Sequence, residues 1–406
     1  MAVLGKANSQ NQFLGNDLLK GKTHVKLPFE YVSGFIVVEV KFGRIIPLNF
    51  IFDTGAANTI LFDKYYADIF QVEYVDTIGV KGADIYHEIE GYIVRNGNFT
   101  LPKIETTVVR DFITLSQNYV KLEESLGIPI GGILGSDFFK RLTVKIDYCR
   151  KQITFYNPDQ LKINHKWSEQ NFDLVNGKPY IRCGLELGND QVTANLLLDT
   201  GASTSVILHS TNSGTIELPD STILGHLGAG LSGNILGHIG LINGITIGGY
   251  KFKDLIVSFQ KIDSSAIDHQ FLVGKGIVGN LLLEKFDILL DYVHGKLYLK
   301  PNKHFKEKLK LDMSGIILHA VGENLNQFIV NYVIPDSPAA LADIRKGDVI
   351  SKIGRHKASK CDLDHLISKL QGPSGKKIKL TINRNDQILK KEFKLRSLID
   401  VQLSQQ

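Results

Sequence analysis

Two short stretches of this sequence carry the residues that could do chemistry. Asp53–Ala56 and Asp199–Ala202 both read Asp-Thr-Gly-Ala, and each follows an apolar run. Two carboxyl groups brought into contact cannot both ionise cheaply, so one of them keeps a proton. The ionised group can then act as a general base on water while the protonated group donates to a carbonyl oxygen. The pattern predicts hydrolysis without a metal, a thiol or a serine nucleophile, with Asp53 and Asp199 as the catalytic residues.

The equivalent placement of the two stretches arises from an internal repeat. The aspartates lie at an offset of 146 residues, and a Gly-apolar-apolar-Gly element at Gly132–Gly135 recurs at Gly276–Gly279 with an offset of 144. The dipeptide Asp147-Tyr148 also recurs 144 residues later. These landmarks indicate a duplicated domain. A duplicated domain has a pseudo-two-fold axis, and equivalent residues meet at that axis.

The residues beside each aspartate have expected supporting roles. Thr54 and Thr200 are expected to hydrogen-bond across the axis and so fix the two loops. Gly55 and Gly201 are expected to let backbone N–H groups approach the carboxylates, because glycine has no side chain in the way. These four residues form the predicted active-site loop support.

The elements that must position these loops are strands. Each copy shows apolar and polar residues in alternation, bounded by turn residues, as in Gly34–Phe42 and Phe286–Tyr292. The last hundred residues change to a small α/β pattern, with a helix N-cap at Ser337-Pro338 and an amphipathic helix over 361–370. We expect a mainly β fold with four segments: an N-terminal extension, two lobes and a C-terminal domain, at 1–28, 29–160, 161–302 and 303–406.

The two Asp-Thr-Gly stretches and the two Gly-apolar-apolar-Gly elements resemble those of retropepsin-like aspartic proteases. The resemblance covers roughly residues 30–301 and implies a bilobal, acid-protease-type pseudo-dimer of β-barrels. Both halves lie in one chain, so it also implies a self-sufficient monomer. Pepsin-like enzymes follow Asp-Thr-Gly with Ser or Thr, whose hydroxyl lowers the pKa of the carboxyl, whereas Ala56 and Ala202 supply no such donor. We therefore expect a mildly acidic to near-neutral pH optimum.

The same resemblance implies flaps, which are glycine-bearing hairpins that close over a substrate. In the first copy the candidates are Gly79 and Gly82, and in the second they are Gly228 and Gly230. The glycines of the second copy open no helix and follow no phosphate-binding pattern, which disfavours a nucleotide site.

The C-terminal hundred residues are similar to a PDZ domain of the bacterial, protease-associated kind. The similarity rests on Ile334–Ala340, which ends Ser-Pro-Ala-Ala, and on Ile344–Ile350, which contains Gly-Asp-Val-Ile. It implies a loop whose N–H groups capture the carboxylate of a peptide C-terminus. The residues expected to bind a peptide in this way are Gly315, Ile316, Ile317 and Leu318.

Charge and cysteine content indicate which classes of ligand and partner are expected. Residues 303–406 carry 19 Lys/Arg against 11 Asp/Glu, but the lysines are scattered and no aromatic residues alternate with them, so we expect solvated surface rather than a nucleic-acid site. Three separated cysteines fit neither a disulfide framework nor a zinc site, so no metal and no cofactor is expected. No apolar run is long enough to span a bilayer.

The location of the protein stays open at this stage. The first residues lack the apolar segment of a signal peptide, so a cytoplasmic location is one of two expectations. If a targeting segment has been removed, a periplasmic or other extracytoplasmic location is expected instead. The PDZ pattern is the one feature that suggests a bacterial origin.

Two hypotheses of function remain. The first is an aspartic endopeptidase whose PDZ domain recruits protein substrates or regulates their access. The second is a catalytically degenerate protease fold that serves as a scaffold, with a PDZ domain that binds peptide C-termini. Two intact Asp-Thr-Gly stretches favour the enzyme, because a scaffold needs neither carboxylate. The sequence preference, the natural target and any regulatory role of the N-terminal segment stay open.

Overall fold

Strands account for 52% of the chain and helices for 11%, which confirms the expected mainly β fold class. The structure is a computed structural model, and it describes residues 18–82, 88–210, 216–231, 233–262 and 274–399. In this described part of the chain, no helix is long and apolar enough to cross a membrane.

Lobe 1 is a set of hairpins that bury one face of each strand. Strand Phe35–Phe42 is typical, because Ile36, Val38 and Val40 share one face and are buried in the main core. The elements of lobe 1 are β1 (His24–Pro28), β2 (Glu30–Val32), β3 (Phe35–Phe42), β4 (Ile46–Phe52), β5 (Ile60–Leu61), α1 (Lys64–Asp68), β6 (Tyr74–Lys81), β7 (Glu88–Leu101), β8 (Thr106–Leu115), α2 (Leu122–Leu126), β9 (Gly132–Leu134), β10 (Thr143–Asp147) and β11 (Gln152–Tyr156).

Lobe 2 repeats the strand order of lobe 1. Its elements are β12 (Ser168–Val175), β13 (Lys178–Leu187), β14 (Asp190–Leu198), β15 (Val206–Ser210), β16 (Thr222–Gly230), β17 (Gly233–Ile247), β18 (Tyr250–Lys261), β19 (Gly276–Val278), α3 (Asn280–Leu283), β20 (Phe286–Asp291) and β21 (Lys296–Pro301). Lobe 1 has the sheet order β2-β3-β4-β9-β5-β8-β7-β6, and lobe 2 has β12-β13-β14-β19-β15-β18-β17-β16. Strand for strand the two orders correspond, which supports duplication of one domain.

A central antiparallel sheet joins the two lobes in the order β1-β11-β10-β20-β21-β12. At its middle, Lys145 of β10 pairs with Leu289 of β20, which is its equivalent at the offset of 144. The flanking pairs are Thr143 with Asp291 and Asp147 with Asp287. The offset of 144 converts one of these pairs into the other. The pseudo-two-fold axis of the molecule therefore passes between Lys145 and Leu289.

The N-terminal boundary of lobe 1 differs from the sequence-based assignment. Residues 24–28, assigned to an N-terminal extension, form β1 and pair with β11 at one edge of the central sheet. Leu18 and Leu19 are buried in the main core that both lobes share. The described part of the extension is therefore structurally a part of lobe 1, and alternation over only five residues was too short to reveal it.

The C-terminal module has its own core and its own sheet, in the order β22-β23-β24-β26-β27 with β25 beside β24. Its short helix begins at Ser337, whose hydroxyl accepts from the N–H of Ala340, and Pro338 occupies the first position as the sequence predicts. The elements are β22 (Ile316–Val321), β23 (Gln327–Val333), α4 (Pro338–Leu341), β24 (Val349–Ile353), β25 (His356–Lys357), α5 (Leu363–Leu370), β26 (Lys377–Arg384) and β27 (Gln387–Lys394).

Candidate active site

Asp53 and Asp199 lie directly after β4 and β14, at equivalent places in the two lobes. The N–H of Asp53 donates to the carbonyl of Leu134 at 3.0 Å, and the N–H of Asp199 donates to the carbonyl of Val278 at 3.0 Å. Each acceptor is the last residue of the short strand, β9 or β19, that pairs in parallel with β4 or β14. The Gly-apolar-apolar-Gly elements therefore hold both loops at matching positions.

Thr54 and Thr200 connect the two loops across the axis. Thr54 Oγ1 donates to the carbonyl of Leu198 at 2.7 Å and accepts from the N–H of Thr200 at 3.0 Å. Thr200 Oγ1 donates to the carbonyl of Phe52 at 2.8 Å and accepts from the N–H of Thr54 at 3.0 Å. Both threonines are fully buried. Four reciprocal hydrogen bonds thus fix one loop against the other.

The two carboxyl groups are in contact, and a glycine from the opposite loop lies against each. A Cβ on Gly55 would lie 2.5 Å from Cγ of Asp199, and a Cβ on Gly201 would lie 2.3 Å from Cγ of Asp53. The carboxyl groups are hydrogen-bonded to each other. No side chain larger than hydrogen fits at either glycine unless the pair of carboxyls moves apart.

The two carboxyls differ in the hydrogen bonds they accept. Oδ1 of Asp53 accepts from the N–H groups of Gly55 at 2.7 Å and Ala56 at 3.0 Å, whereas Oδ1 of Asp199 accepts from Gly201 alone at 2.7 Å. Burial raises the pKa of both groups, but the charge of Asp53 and the hydrogen bond to it raise the pKa of Asp199 further. The extra amide donor therefore favours the negative charge on Asp53 and the shared proton on Asp199.

Side chains just after β9 and β19 reach across the interface to hold the opposite lobe. Ser136 Oγ donates to the carbonyl of Gly177 at 2.6 Å. Its counterpart Asn280 donates through Nδ2 to the carbonyl of Gly34 at 2.9 Å and to that of Thr200 at 2.6 Å. The β2–β3 and β12–β13 turns are thereby fixed to the loop system of the other lobe.

Asp147 and Asp291, which also recur, have structural roles. Asp147 Oδ1 accepts from the N–H of Arg150, and Asp291 Oδ1 accepts from the N–H groups of Val293 and His294. Each carboxylate caps the turn after its strand of the central sheet. Neither lines the cleft above Asp53 and Asp199.

A cleft of about 380 Å³ opens above the paired carboxyls and is lined by both lobes. Two hairpins contribute to it, β6–β7 from lobe 1 and β16–β17 from lobe 2. Of the flap candidates, Gly79, Gly82 and Gly230 line the cleft. Gly228 lies at a bulge of β16 with φ +147° and is outside the lining. Residues 83–87 at the first hairpin tip are outside the described part.

The two walls of the cleft have different chemistry. Most of the lobe 1 wall is apolar and belongs to a buried cluster that includes Ile51, Ile60, Val120, Leu122 and Ile133, with Lys81 contributing a charge. The lobe 2 wall places Lys178, Tyr180 and His209 in the cleft beside Leu197 and Ile277. Sequence reasoning missed Lys178 and Tyr180. The internal repeat contains a signal for Lys178, because alignment of the two copies places Gly177-Lys178 opposite Gly34-Phe35.

The loop before β22 differs from the expected carboxylate-binding loop. The N–H groups of Ser314 and Gly315 donate to the side chain of Asp312 at 3.0 Å and 2.7 Å, and the N–H of Ile316 donates to Ser314 Oγ at 3.1 Å. Burial raises the pKa of Asp312, although these donors counter the shift. The N–H groups of Ser314 and Gly315 are thus already paired with a carboxyl group of the same chain, and that of Ile316 is paired with Ser314 Oγ. Ile317 and Leu318 follow in β22.

The edge of the C-terminal module that is formed by β22 and α5 contacts lobe 1. Asp364, at the start of α5, accepts from the N–H of Ser33 at 3.0 Å and from its hydroxyl. His319 of β22 contacts Glu124 and Ser125 of α2, each at 3.3 Å. Through these contacts β22 and α5 face α2 and the β2–β3 turn, which adjoin the cleft-lining residues Leu122 and Phe35.

Comparison with known proteins bears on the C-terminal module and on the class of protein. Residues 329–384 match the PDZ domain family, so the expected C-terminal PDZ domain is confirmed. A carboxy-terminal-processing protease of Bartonella bacilliformis is 33% identical over 137 residues, which are 33% of this chain and 29% of that protein. The crystal structure of an aspartic proteinase from Irpex lacteus aligns with a TM-score of 0.39 at 15% identity, over 70% of this chain and 99% of that one.

Metal ligation finds no support in the described residues. Among them, no cluster of three or more His, Cys, Asp or Glu side chains could hold an ion. The arrangement places two carboxyls in contact under a cleft of mixed polarity.

Proposed function

We propose that this chain is an aspartic endopeptidase of the retropepsin-like kind, active as a monomer. The observation that carries the proposal is the contact between Asp53 and Asp199, which reciprocal threonine hydrogen bonds hold at a pseudo-two-fold axis beneath a cleft. The protein named as a protease that matches part of the chain supports peptide hydrolysis. A scaffold would gain nothing from two buried like-charged groups, which cost stability unless they share a proton.

The mechanism follows from the unequal carboxyls. Asp53, as carboxylate, removes a proton from a water molecule, whose oxygen attacks the carbonyl carbon of the scissile peptide bond. Asp199 donates its proton to the carbonyl oxygen, so the tetrahedral intermediate forms without a full negative charge. The proton on Asp53 then passes to the amide nitrogen, and the C–N bond breaks. The intermediate returns a hydroxyl proton to Asp199, which restores the starting state.

In this proposal the PDZ domain regulates access to the cleft. Its β22–α5 edge is already in contact with lobe 1 beside the cleft, through Asp364 and His319. Of the residues expected to capture a peptide C-terminus, Gly315 already donates its N–H to Asp312, and Ile316 donates its N–H to Ser314 Oγ. These observations favour regulation through the domain contact over binding of peptide C-termini, and so disfavour the scaffold hypothesis.

The test compares the protein with its Asp53→Asn and Asp199→Asn variants on unfolded protein substrates. Cleavage is mapped by mass spectrometry between about pH 3 and 8, which brackets ordinary and raised carboxyl pKa values. The matched control is Asp291→Asn, a recurring aspartate whose turn-capping hydrogen bonds an asparagine can also accept. The proposal requires loss of cleavage in both dyad variants and retention in the control. Cleavage that survives either dyad substitution would refute it.

A further inference from the structure

The two lobes present different residues at one equivalent position of the cleft. The β2–β3 turn has Ser33 at φ +49° and Gly34 at φ +85°, and the β12–β13 turn has Asn176 at φ +51° and Gly177 at φ +79°. The next residue in each lobe lines the cleft: Phe35 in lobe 1 and Lys178 in lobe 2. Because the turns match in conformation, the pseudo-two-fold axis relates an aromatic ring on one wall to an ammonium group on the other.

The ammonium of Lys178 has no direct partner among the described residues. No hydrogen bond or ion pair is made by its Nζ there, although the residue is half-buried. Its charge does act on the paired carboxyls, since it opposes the rise that burial causes in the pKa of both Asp53 and Asp199. An ammonium group without a salt-bridge partner is available to form a charge-assisted hydrogen bond with a bound carboxylate.

Among the described residues that line the lobe 2 wall of the cleft, Lys178 carries the positive charge. Burial lowers the pKa of His209 to about 4, so this imidazole is neutral in the mildly acidic to neutral range. Tyr180 lies two residues along β13 and therefore on the same face as Lys178. The opposite wall is largely an apolar cluster that includes Val120 and Leu122, which disfavours a charged side chain there. Lys81, which also lines the cleft from lobe 1, has its Nζ 3.3 Å from Oε1 of Glu88 and so already has an anionic partner.

We propose that Lys178 forms a subsite for a substrate carboxylate, so that the cleft cuts between an apolar residue bound by lobe 1 and an acidic residue bound by lobe 2. This inference rests on the proposed function, because it assigns the substrate class of that site. The carboxylate is that of a Glu or Asp side chain beside the cut. A free peptide C-terminus offers the same chemistry, and the experiment separates the two.

The expected effect is a preference measured within one enzyme. A charge-assisted hydrogen bond in a half-buried site corresponds to a factor of about 10 to 100 in kcat/KM. Cleavage profiling on a peptide library first identifies the position beside the cut that favours Glu or Asp. Paired peptides with Glu or Gln there, each with a free or an amidated C-terminus, then give the ratio directly.

Two substitutions test the residue. Lys178→Met keeps the stem of the side chain and removes the charge, and it should bring the Glu/Gln ratio close to one. Lys178→Glu should invert the preference towards Lys or Arg. The control Lys253→Met removes an exposed lysine of β18 in the same lobe and should leave the ratio unchanged. Lys178 also shifts the pKa values of the two catalytic carboxyls, so its replacement should change kcat/KM for every substrate. The Glu/Gln ratio of kcat/KM at a single pH removes this effect, because the same enzyme cleaves both peptides.

The outcomes separate this inference from the proposed function. Equal cleavage of Glu and Gln peptides by the unaltered protein, or a preference that survives Lys178→Met, would overturn the subsite. A preference that follows the free C-terminus and not the side chain would overturn the side-chain assignment. Binding of uncleavable Glu and Gln peptides, measured by calorimetry, gives the same ratio without turnover. A Glu preference in binding without any cleavage would support the subsite and refute the protease.

Discussion

The reciprocal hydrogen bonds of Thr54 and Thr200 allow a quantitative test of how the lobes are held together. Replacing Thr54 by Val keeps the shape of the side chain and removes the hydroxyl. The carbonyl of Leu198 and the N–H of Thr200 then lose their partners in a fully buried place. An unsatisfied buried polar group costs about 1–3 kcal/mol, so two of them should lower the free energy of unfolding by about 2–6 kcal/mol.

The matched control is Thr54→Ser, which keeps the hydroxyl and loses one methyl group. Loss of a buried methyl group should cost about 1 kcal/mol. The pseudo-symmetry adds a second condition, because Thr200 makes the same two kinds of hydrogen bond to Phe52 and Thr54. The Val and Ser variants at Thr200 should therefore reproduce the pair of values found at Thr54.

Urea unfolding followed by tryptophan and tyrosine fluorescence measures these differences. Circular dichroism, recorded in parallel, tests whether the lobes unfold together. A Val variant no less stable than its Ser counterpart would refute the assignment of the interface energy to these hydroxyls. A large cost at one threonine with none at the other would refute the equivalence of the two loops.

Two further predictions concern the pH dependence and the domain contact. Activity needs one proton on the pair, so it should fall at low pH as Asp53 gains a proton and at high pH as Asp199 loses its own. Because burial raises both pKa values, both limbs shift upward, and kcat/KM should peak at mildly acidic to near-neutral pH. A profile that still rises below about pH 3 would contradict this. Replacing Asp364 by Ala removes the acceptor for the N–H of Ser33, whereas Asp364→Asn keeps an acceptor oxygen. Hydrogen exchange at Ser33 should be about 10- to 100-fold faster in the Ala variant, in line with a lost charged hydrogen bond. Equal exchange in all three proteins would show that the contact does not hold the turn.

Much of the architecture could be read from the sequence because it is repeated. The nearly equal offsets of the two Asp-Thr-Gly stretches and the two Gly-apolar-apolar-Gly elements predict equivalent loops, and alternation predicts strands such as β3 and β20 to within a residue or two. Local signals also sufficed for the N-cap at Ser337. These features depend on a residue and its near neighbours, which the sequence displays directly.

The asymmetric features could not be predicted in the same way. The second amide donor to Asp53, from Ala56, has no counterpart at Ala202, although the two stretches share the same four residue types. The contact of Asp364 with Ser33 joins residues 331 positions apart, and no local pattern encodes it. Asp312 is close in sequence to the loop, but only the backbone conformation shows that the N–H groups of Ser314 and Gly315 both point at its carboxyl.

The register of the central sheet has a consequence for the synthesis of the chain. Strand β10 pairs with β20, and Thr143 pairs with Asp291, which the ribosome adds 148 residues later. Strand β10 therefore cannot form this pairing until β20 has been synthesised. At about 5–20 residues per second this interval lasts about 7–30 s. During that time the first lobe presents an unpaired strand edge, which is a template for pairing with other chains. The nascent first lobe is therefore expected to bind chaperones that prevent aggregation until the second lobe has been synthesised.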